Sequence, residues 1–443
     1  MIESPTLGRG NDPYAGARRW WLCAMFFSVL GGGMATLANI HIVYSQTRSV
    51  VVTALVAVSG SLPPLLLPAL STSLAQRFGG PRTYITRYVL STVIAFVPVV
   101  LLTTGHLSTV TVLMWTTAMS SIAGLFIPAA SLVQRMLAPQ ALLPEFTAAG
   151  GRNAAIAGVI GILGGGVLYE TVGPIWLYAI NAISYFPLIF PAIPLLGKAE
   201  KAEASRHRFS SIWGLLYGPD AHLGLRAACR FTFLSMALGG YTVVLPAIAG
   251  TGRGSVGMLS LLQAAAVVGG LATSTVTSRL HGRMPWGRVQ RGCFFVIGVG
   301  MLVLAWASRP ALGHYATVVV CIVAIIPVGL VLNLDQTILM ALVRMATPGP
   351  SRVVFFTYYG LIPMVAVPFG QLVIGAIADF FSVSVALSFA AVVTLTLVAL
   401  GPRLHLRAAF DQLGNAEDPP KAESGVNLRL DAVPPSNPYH GAQ

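Results

Sequence analysis

The sequence predicts an all-α integral membrane protein of twelve transmembrane helices in two six-helix pseudo-repeat halves, on three observations. Of 443 residues, 55% are hydrophobic and only 9% charged. Soluble domains average about 25% charged residues, so most of this surface cannot face water. Twelve apolar runs follow, each close to the roughly 20 residues that a spanning helix needs. Finally, two stretches repeat at a single shift of 209 residues (135 to 344), which carries Arg135 onto Arg344, Pro139 onto Pro348, Gly161 onto Gly370, Gly166 onto Gly375 and Glu170 onto Asp379.

The runs fall at about 20–45, 50–71, 84–104, 110–134, 153–169 and 174–196, then 227–250, 255–278, 292–308, 314–343, 353–378 and 382–401. Prolines recur inside them: Pro63, Pro64 and Pro68 in the second, Pro187, Pro191 and Pro194 in the sixth, Pro327 in the tenth, Pro363 and Pro368 in the eleventh. Membrane helices tolerate them because neighbours re-satisfy the freed backbone. The polar stretch 197–225 divides the chain. The organisation is an N-terminal segment 1–17, a first half 18–196, a linker 197–225, a second half 226–402 and a tail 403–443 rich in Asp, Pro, Asn and Gly, a composition expected to be disordered. The linker opens with the solvated run KAEKAEASRHR, and its SSIWGLLYG continuation has the makings of an interfacial amphipathic piece. The polar first 17 residues and the long run after Arg19 do not read as a cleavable signal.

The formal charge of +13 is explained by placement. With the N-terminus inside, 24 of the 27 cations lie on the cytoplasmic side and only Arg48, Arg253 and Arg309 on the other. The positive-inside rule therefore puts both termini in the cytoplasm, and no nucleic-acid partner is needed. The four cysteines lie in apolar runs without metal-ligand or redox spacing. No metal site is expected. Gly252-Arg253-Gly254-Ser255-Val256-Gly257 satisfies G-x-G-x-x-G, but it lies between two spans with no strand before it, so a dinucleotide site is excluded. There is no phosphate-binding G-x-x-x-x-G-K-[ST] loop, HExxH or GxSxG. The chain does not read as an enzyme.

Two similar hydrophobic halves are what a secondary transporter with a central site would show. Over roughly residues 18–402 the pattern resembles the major facilitator superfamily. TSLAQRFGGPR, Thr72 to Arg82, is similar to its G-x-L-A-D-R-x-G-R-R/K loop: Leu74, Ala75, Arg77 and Gly79 match, Arg82 closes the loop, Thr72 stands for the first glycine and Gln76 for the acid. GILGGG, Gly161 to Gly166, is similar to the exporters' G-P-x-x-G-G, with Ile162 for the proline. FIPAASLVQRMLAP, GGGVLYETVG and AINAISYF resemble most the bacterial siderophore and macrolide exporter branch. The resemblance implies a monomer.

Asp335 is the most informative candidate. Nine residues at about 1.5 Å each set it roughly 13 Å from Arg344, near the middle of a core about 30 Å thick. An acid there is costly unless it meets a cavity or a partner, so proton coupling is expected, against pairing with a cationic substrate or a structural hydrogen bond. Asn333, Gln336 and Thr337 are expected on one helix face, as cavity lining or interhelical glue. Thr36 and Asn39 form a polar stripe with Gly32, read either as cavity lining or as close packing. His41, near the outer end, is a proton-coupling candidate by its ordinary pKa or a structural histidine. Glu170 and Asp379 are duplicate acids at the outer ends of the fifth and eleventh spans, expected to share a job such as ordering an outer gate. Gly161, Gly164, Gly165, Gly166, Gly370 and Gly375 are expected to let helices approach and slide.

These features suggest a proton-linked exporter of an amphipathic small molecule such as a siderophore, antibiotic or other natural product. It would work by alternating access in a bacterial cell membrane, with the proton gradient as energy source and no cofactor. The cavity is expected to be largely apolar and its substrate weakly charged. An importer, or a membrane sensor that moves nothing, are the alternatives.

Overall fold

The computed structural model describes residues 12–197, 223–251, 254–280, 286–309, 313–346 and 359–400, and every regular element among them is helical. Nine helices there are long and apolar enough to cross a membrane: Ala15–Thr47, Gly80–Thr103, Leu143–Val172, Pro174–Leu195, Ala228–Ala249, Ser255–Leu280, Arg288–Ala307, Ala316–Ala341 and Ile362–Phe380. A pair bent by 48°, Thr109–Leu125 with Ile127–Leu137, and two shorter apolar helices, Val50–Leu66 and Val383–Ala399, stand where the remaining runs were expected. In chain order these segments are called the first to the twelfth span.

Local chemistry sets their ends. Ser49 opens the second span, its Oγ accepting from Val52 N–H at 3.1 Å. Ser108 and Thr111 form a reciprocal capping box at the fourth. Gly173, at φ +91°, makes the turn between the fifth and sixth spans, a backbone region that side chains disfavour. Each device satisfies or bypasses N–H groups that a helix start leaves orphaned. The 48° bend in the fourth span falls where Pro128 enters the next helix at its first turn. Proline lacks the N–H that would carry the ladder across.

Several expected interior prolines instead start helices. Pro68 opens a short helix Pro68–Phe78, Pro187 lies in the first turn of a tight 3₁₀ segment Phe186–Leu195, and Pro363 lies in the first turn of the eleventh span. Residues 72–78, expected as a loop, therefore form the end of that short helix. The loop character is confined to Gly79, at φ +78°, and Arg77 lies over the Phe78 ring. Linker residues 198–222 and the tail beyond 400 lie outside the described residues.

In the first half, the first span packs on the fifth and sixth, the second on the fourth, and the third on the sixth. In the second half, the eighth packs on the tenth, the ninth on the tenth and twelfth, and the seventh on the eleventh. The halves meet chiefly along two seams, the fifth span against the eighth and the second against the eleventh. Large apolar side chains such as Val93, Met114, Val167 and Val323 are exposed. On a protein in water such a belt would be a liability, whereas lipid tails are as apolar as the side chains themselves.

Candidate functional site

The two ends of the molecule are built differently. At the end carrying Arg48 and Gly173, each half sends a carboxylate onto a helix start of the other. Glu170, at the close of the fifth span, accepts N–H bonds from Gly254 at 3.2 Å, Val256 at 3.0 Å and Gly257 at 3.3 Å. Asp379, at the close of the eleventh, accepts from Val50 N at 2.8 Å, Val51 N at 3.1 Å and Ser49 Oγ at 2.5 Å. These are the orphan donors of the eighth and second spans, where the helix dipole also favours an anion. The shift of 209 residues thus relates two residues that perform one job in opposite directions.

Behind the carboxylates lies an apolar seal. Leu37, Val50 and Ala54 of the first half join Tyr241, Val244, Val256 and Leu259 of the second in one buried cluster. The repeated glycines divide their labour here. Gly161 and Gly370 face partners inside their own halves: a methyl on Gly161 would come within 2.9 Å of Leu30 Cα, and one on Gly370 within 2.6 Å of the Ala237 carbonyl carbon. Gly164 and Gly165 also face the first span, at Met34. Gly166 and Gly375 alone of this set face across the seams, onto Ser260 and onto Val51. His41, read as a proton-coupling candidate or a structural histidine, is 8% exposed and packs edge-on against Tyr169, with ring centroids 5.2 Å apart.

Toward the opposite end a cleft of about 760 Å³ lies between the fifth span of the first half and the eighth and tenth spans of the second. Its lining is Gly151, Arg152 and Ala155 of the fifth span, Gly270, Leu271, Thr273, Thr277 and Ser278 of the eighth, and Asn333 and Thr337 of the tenth. The cleft surface is mainly apolar, as expected, and the one charged residue in its lining among the described residues is basic.

Asn333 and Thr337 thus line the cleft, while Gln336 does not. Its Oε1 is buried without a hydrogen-bond partner among the described residues. Asn39, expected as lining or packing, is packing: its Oδ1 accepts from Tyr178 O–H at 2.7 Å inside the first half. Thr36 is exposed and donates to Gly32 O at 2.9 Å, apart from the cleft lining. Arg152 carried no signal beyond its sign, because the sequence counts it as one more cytoplasmic cation.

Asp335 is buried completely, but not in the cleft. A helix turns about 100° per residue, so a side chain two positions from both Asn333 and Thr337 points to the opposite face. There Asp335 meets Ser235 of the seventh span and Gln290 of the ninth, which face the carboxylate without closing hydrogen bonds onto it. Cys293 and Tyr359 are also near it among the described residues. No Lys, Arg or His is among these neighbours. Of the signature residues, Arg77 and Arg82 are exposed near the Pro68–Phe78 helix, away from the cleft lining. No group of three metal-ligating side chains occurs among the described residues.

Comparison with known proteins agrees with this architecture. A family model described as transmembrane secretion effector matches residues 15–431. No curated protein matches the chain. A bacterial homolog of the human lysosomal transporter Spinster, solved in an inward-facing and unoccupied conformation, superposes with a TM-score of 0.64 at 13% identity, covering 93% of this chain and 100% of that one. A bacterial homologue of the iron transporter ferroportin in its inward-facing state gives 0.64 at 13% identity, covering 90% and 98%. The nucleoside transporter NupG gives 0.64 at 12% identity, covering 89% and 99%. At such identities the likeness is one of fold.

Proposed function

We infer, because the chain belongs to the transmembrane secretion effector family of major facilitator transporters, that this multi-pass membrane protein exports an amphipathic small molecule by alternating access, driven by protons. One observation carries the reading: the halves are clasped and sealed at the Glu170 and Asp379 end while a cleft of about 760 Å³ separates them toward the other. That volume suits a drug-sized solute. With the arginine-rich loops inside, as in a bacterial inner membrane with both termini cytoplasmic, the cleft opens to the cytoplasm and the seal faces out. Two of the solved transporters it resembles are described as inward-facing as well. The family description supports the outward direction. We take the transporter to work as a monomer without cofactor, its only partners being the solute and the bilayer.

Asp335 is the residue we assign to proton coupling. A carboxylate enclosed in the second half, with no basic neighbour among the described residues around it, is neutralised most simply by a proton that enters and leaves. Its place on the far face of the tenth span lets such a proton act on the cleft through the helix that also carries Asn333 and Thr337. Asp335→Asn is expected to leave the protein folded and to abolish transport driven by an imposed pH gradient in inside-out vesicles. Unchanged transport would remove Asp335 from the mechanism. Export itself is tested by comparing small molecules inside and outside host cells with and without this gene, using untargeted mass spectrometry. A compound retained by the deletion strain, and released on complementation, is the expected result; no retained compound would overturn export.

A further inference from the structure

The cleft's charge and hydrogen-bonding pattern carry a more specific statement about its occupant. Among the described residues Arg152 is the one charged residue in the lining, and no hydrogen bond or ion pair from them reaches its guanidinium. The nearest acid on its own helix, Glu145, is absent from the lining, and Glu170 is engaged on the eighth span at the opposite end. Arginine offers five donors in a planar fork and accepts nothing, a geometry that matches a carboxylate, sulfonate or phosphate.

Across from it the hydroxyl groups have the opposite bias. Thr277 donates to Thr273 O at 2.8 Å, Ser278 to Thr275 O at 2.9 Å and Thr337 to Asn333 O at 2.8 Å, so each presents lone pairs to the cleft. Asn333 spends one amide hydrogen on Gly329 O at 2.8 Å. Thr273 is 7% exposed, and its Oγ is buried with no partner among the described residues. One wall therefore demands negative charge while the other mainly accepts hydrogen bonds.

We propose that the cleft binds an organic acid that also carries hydroxyl or N–H donors, its anionic group on Arg152 and its donors on the Thr277 and Thr337 wall. This deepens the export reading and rests on it for direction only, since binding can be measured without transport. It also replaces the weakly charged substrate that composition suggested. The unpaired guanidinium is the recognition element, and the acceptor wall selects among acids.

The test uses the full-length protein in phosphatidylcholine nanodiscs and matched probes differing only at the acid: 3-hydroxy-2-naphthoate against 3-hydroxy-2-naphthamide, and gluconate against gluconamide. Calorimetry and thermal stabilisation are expected to favour a carboxylate by about tenfold or more in at least one pair. Arg152→Gln should erase that preference while leaving folding unchanged, and Arg152→Lys should retain part of it. A merely structural arginine would not separate acid from amide in this way. Equal binding within both pairs, including no binding, would overturn the proposal, as would a preference that survives Arg152→Gln. Phosphatidylglycerol in the nanodiscs is expected to leave the preference intact; its abolition would make a lipid headgroup the occupant and overturn the solute assignment. In cells the outcomes separate the two readings. A retained neutral compound exported normally by Arg152→Gln leaves export standing and removes this inference. No retained compound removes export, while the probe pairs still decide the chemistry of the cleft.

Discussion

The two ends of this molecule use charge in opposite ways. At the sealed end, Glu170 and Asp379 reach from one half to the other and cap the eighth and second spans. At the other, Arg18 donates to Leu137 O at 3.0 Å and pairs with Asp12 at 2.5 Å, tying together only parts of the first half. Clasps between halves hold a state of the transporter; clasps within a half hold its shape. The difference teaches that the moving parts can be told from the rigid ones by asking which half each polar contact ends on.

The glycines give the largest test of that distinction. Gly161→Val and Gly370→Val insert bulk against the backbone of a neighbour in the same half, a fault that neither half can relieve by moving relative to the other. Overpacking of that kind costs about 1–3 kcal/mol or more, and a marked loss of monodisperse, folded protein after detergent extraction is expected. Gly166→Val and Gly375→Val press on Ser260 and Val51 across the seams. They should remain folded and respond by opening the sealed end. Equal losses from both pairs would erase the distinction between rigid and moving contacts.

Removing the clasps is the next effect in size. Each exposed carboxylate forms charge-assisted bonds that, after screening by water, are worth about 1 kcal/mol. Together, Glu170→Gln with Asp379→Asn should shift the balance between sealed and open forms by roughly thirtyfold. Spin labels on His106 and Arg309, in a cysteine-free background, would read the separation of the halves at that end. A distance distribution unchanged by the double substitution would mean that the apolar seal of Leu37, Val50 and Val256 suffices alone. The single Asp379→Asn should shift the balance further than Glu170→Gln, because Asp379 has the shorter bonds and an added hydroxyl donor.

Much of this contrast was written in the sequence, and the reasons are physical. Lipid imposes a length and an apolarity on every span, so the twelve runs and the all-helical class were legible from composition. The 209-residue shift paired Glu170 with Asp379 and Gly166 with Gly375, because duplication preserves register. What a residue faces was not legible. Periodicity placed Asn333, Gln336 and Thr337 together, yet Gln336 turns away because the span is covered on several sides. It marked Asp335 as costly, but only packing reveals that it faces Ser235 and Gln290 rather than the cleft. It assigned Arg152 to the cytoplasmic count, since nothing in the spacing records that two halves part beside it. Pro68 and Pro363 read as interior because a run of apolar residues hides the breaks between consecutive helices.

The smallest expected effect concerns the clasp that stays within one half. Asp12 precedes the first span, and its carboxyl is held below the ordinary carboxylate range by the Arg18 guanidinium, with the Tyr14 N–H assisting at 3.0 Å. A group whose pKa is lower in the folded state stabilises that state fully above its unfolded value, about 3.9 for aspartate, and loses the contribution as pH falls through the folded value. Acid should therefore weaken wild type in that window slightly more than Asp12→Asn, which has no proton to take up. The group is exposed, so the difference is expected to be a small shift in the acid limb of a thermal-stability profile. The spin-label distance across the sealed end should not change, since neither Asp12 nor Leu137 belongs to a seam. A shift of that distance on Asp12→Asn would show that the Arg18 clasp, although it ends on one half at both of its contacts, nonetheless biases the transporter's state, and the division between clasps that hold shape and clasps that hold state would fail.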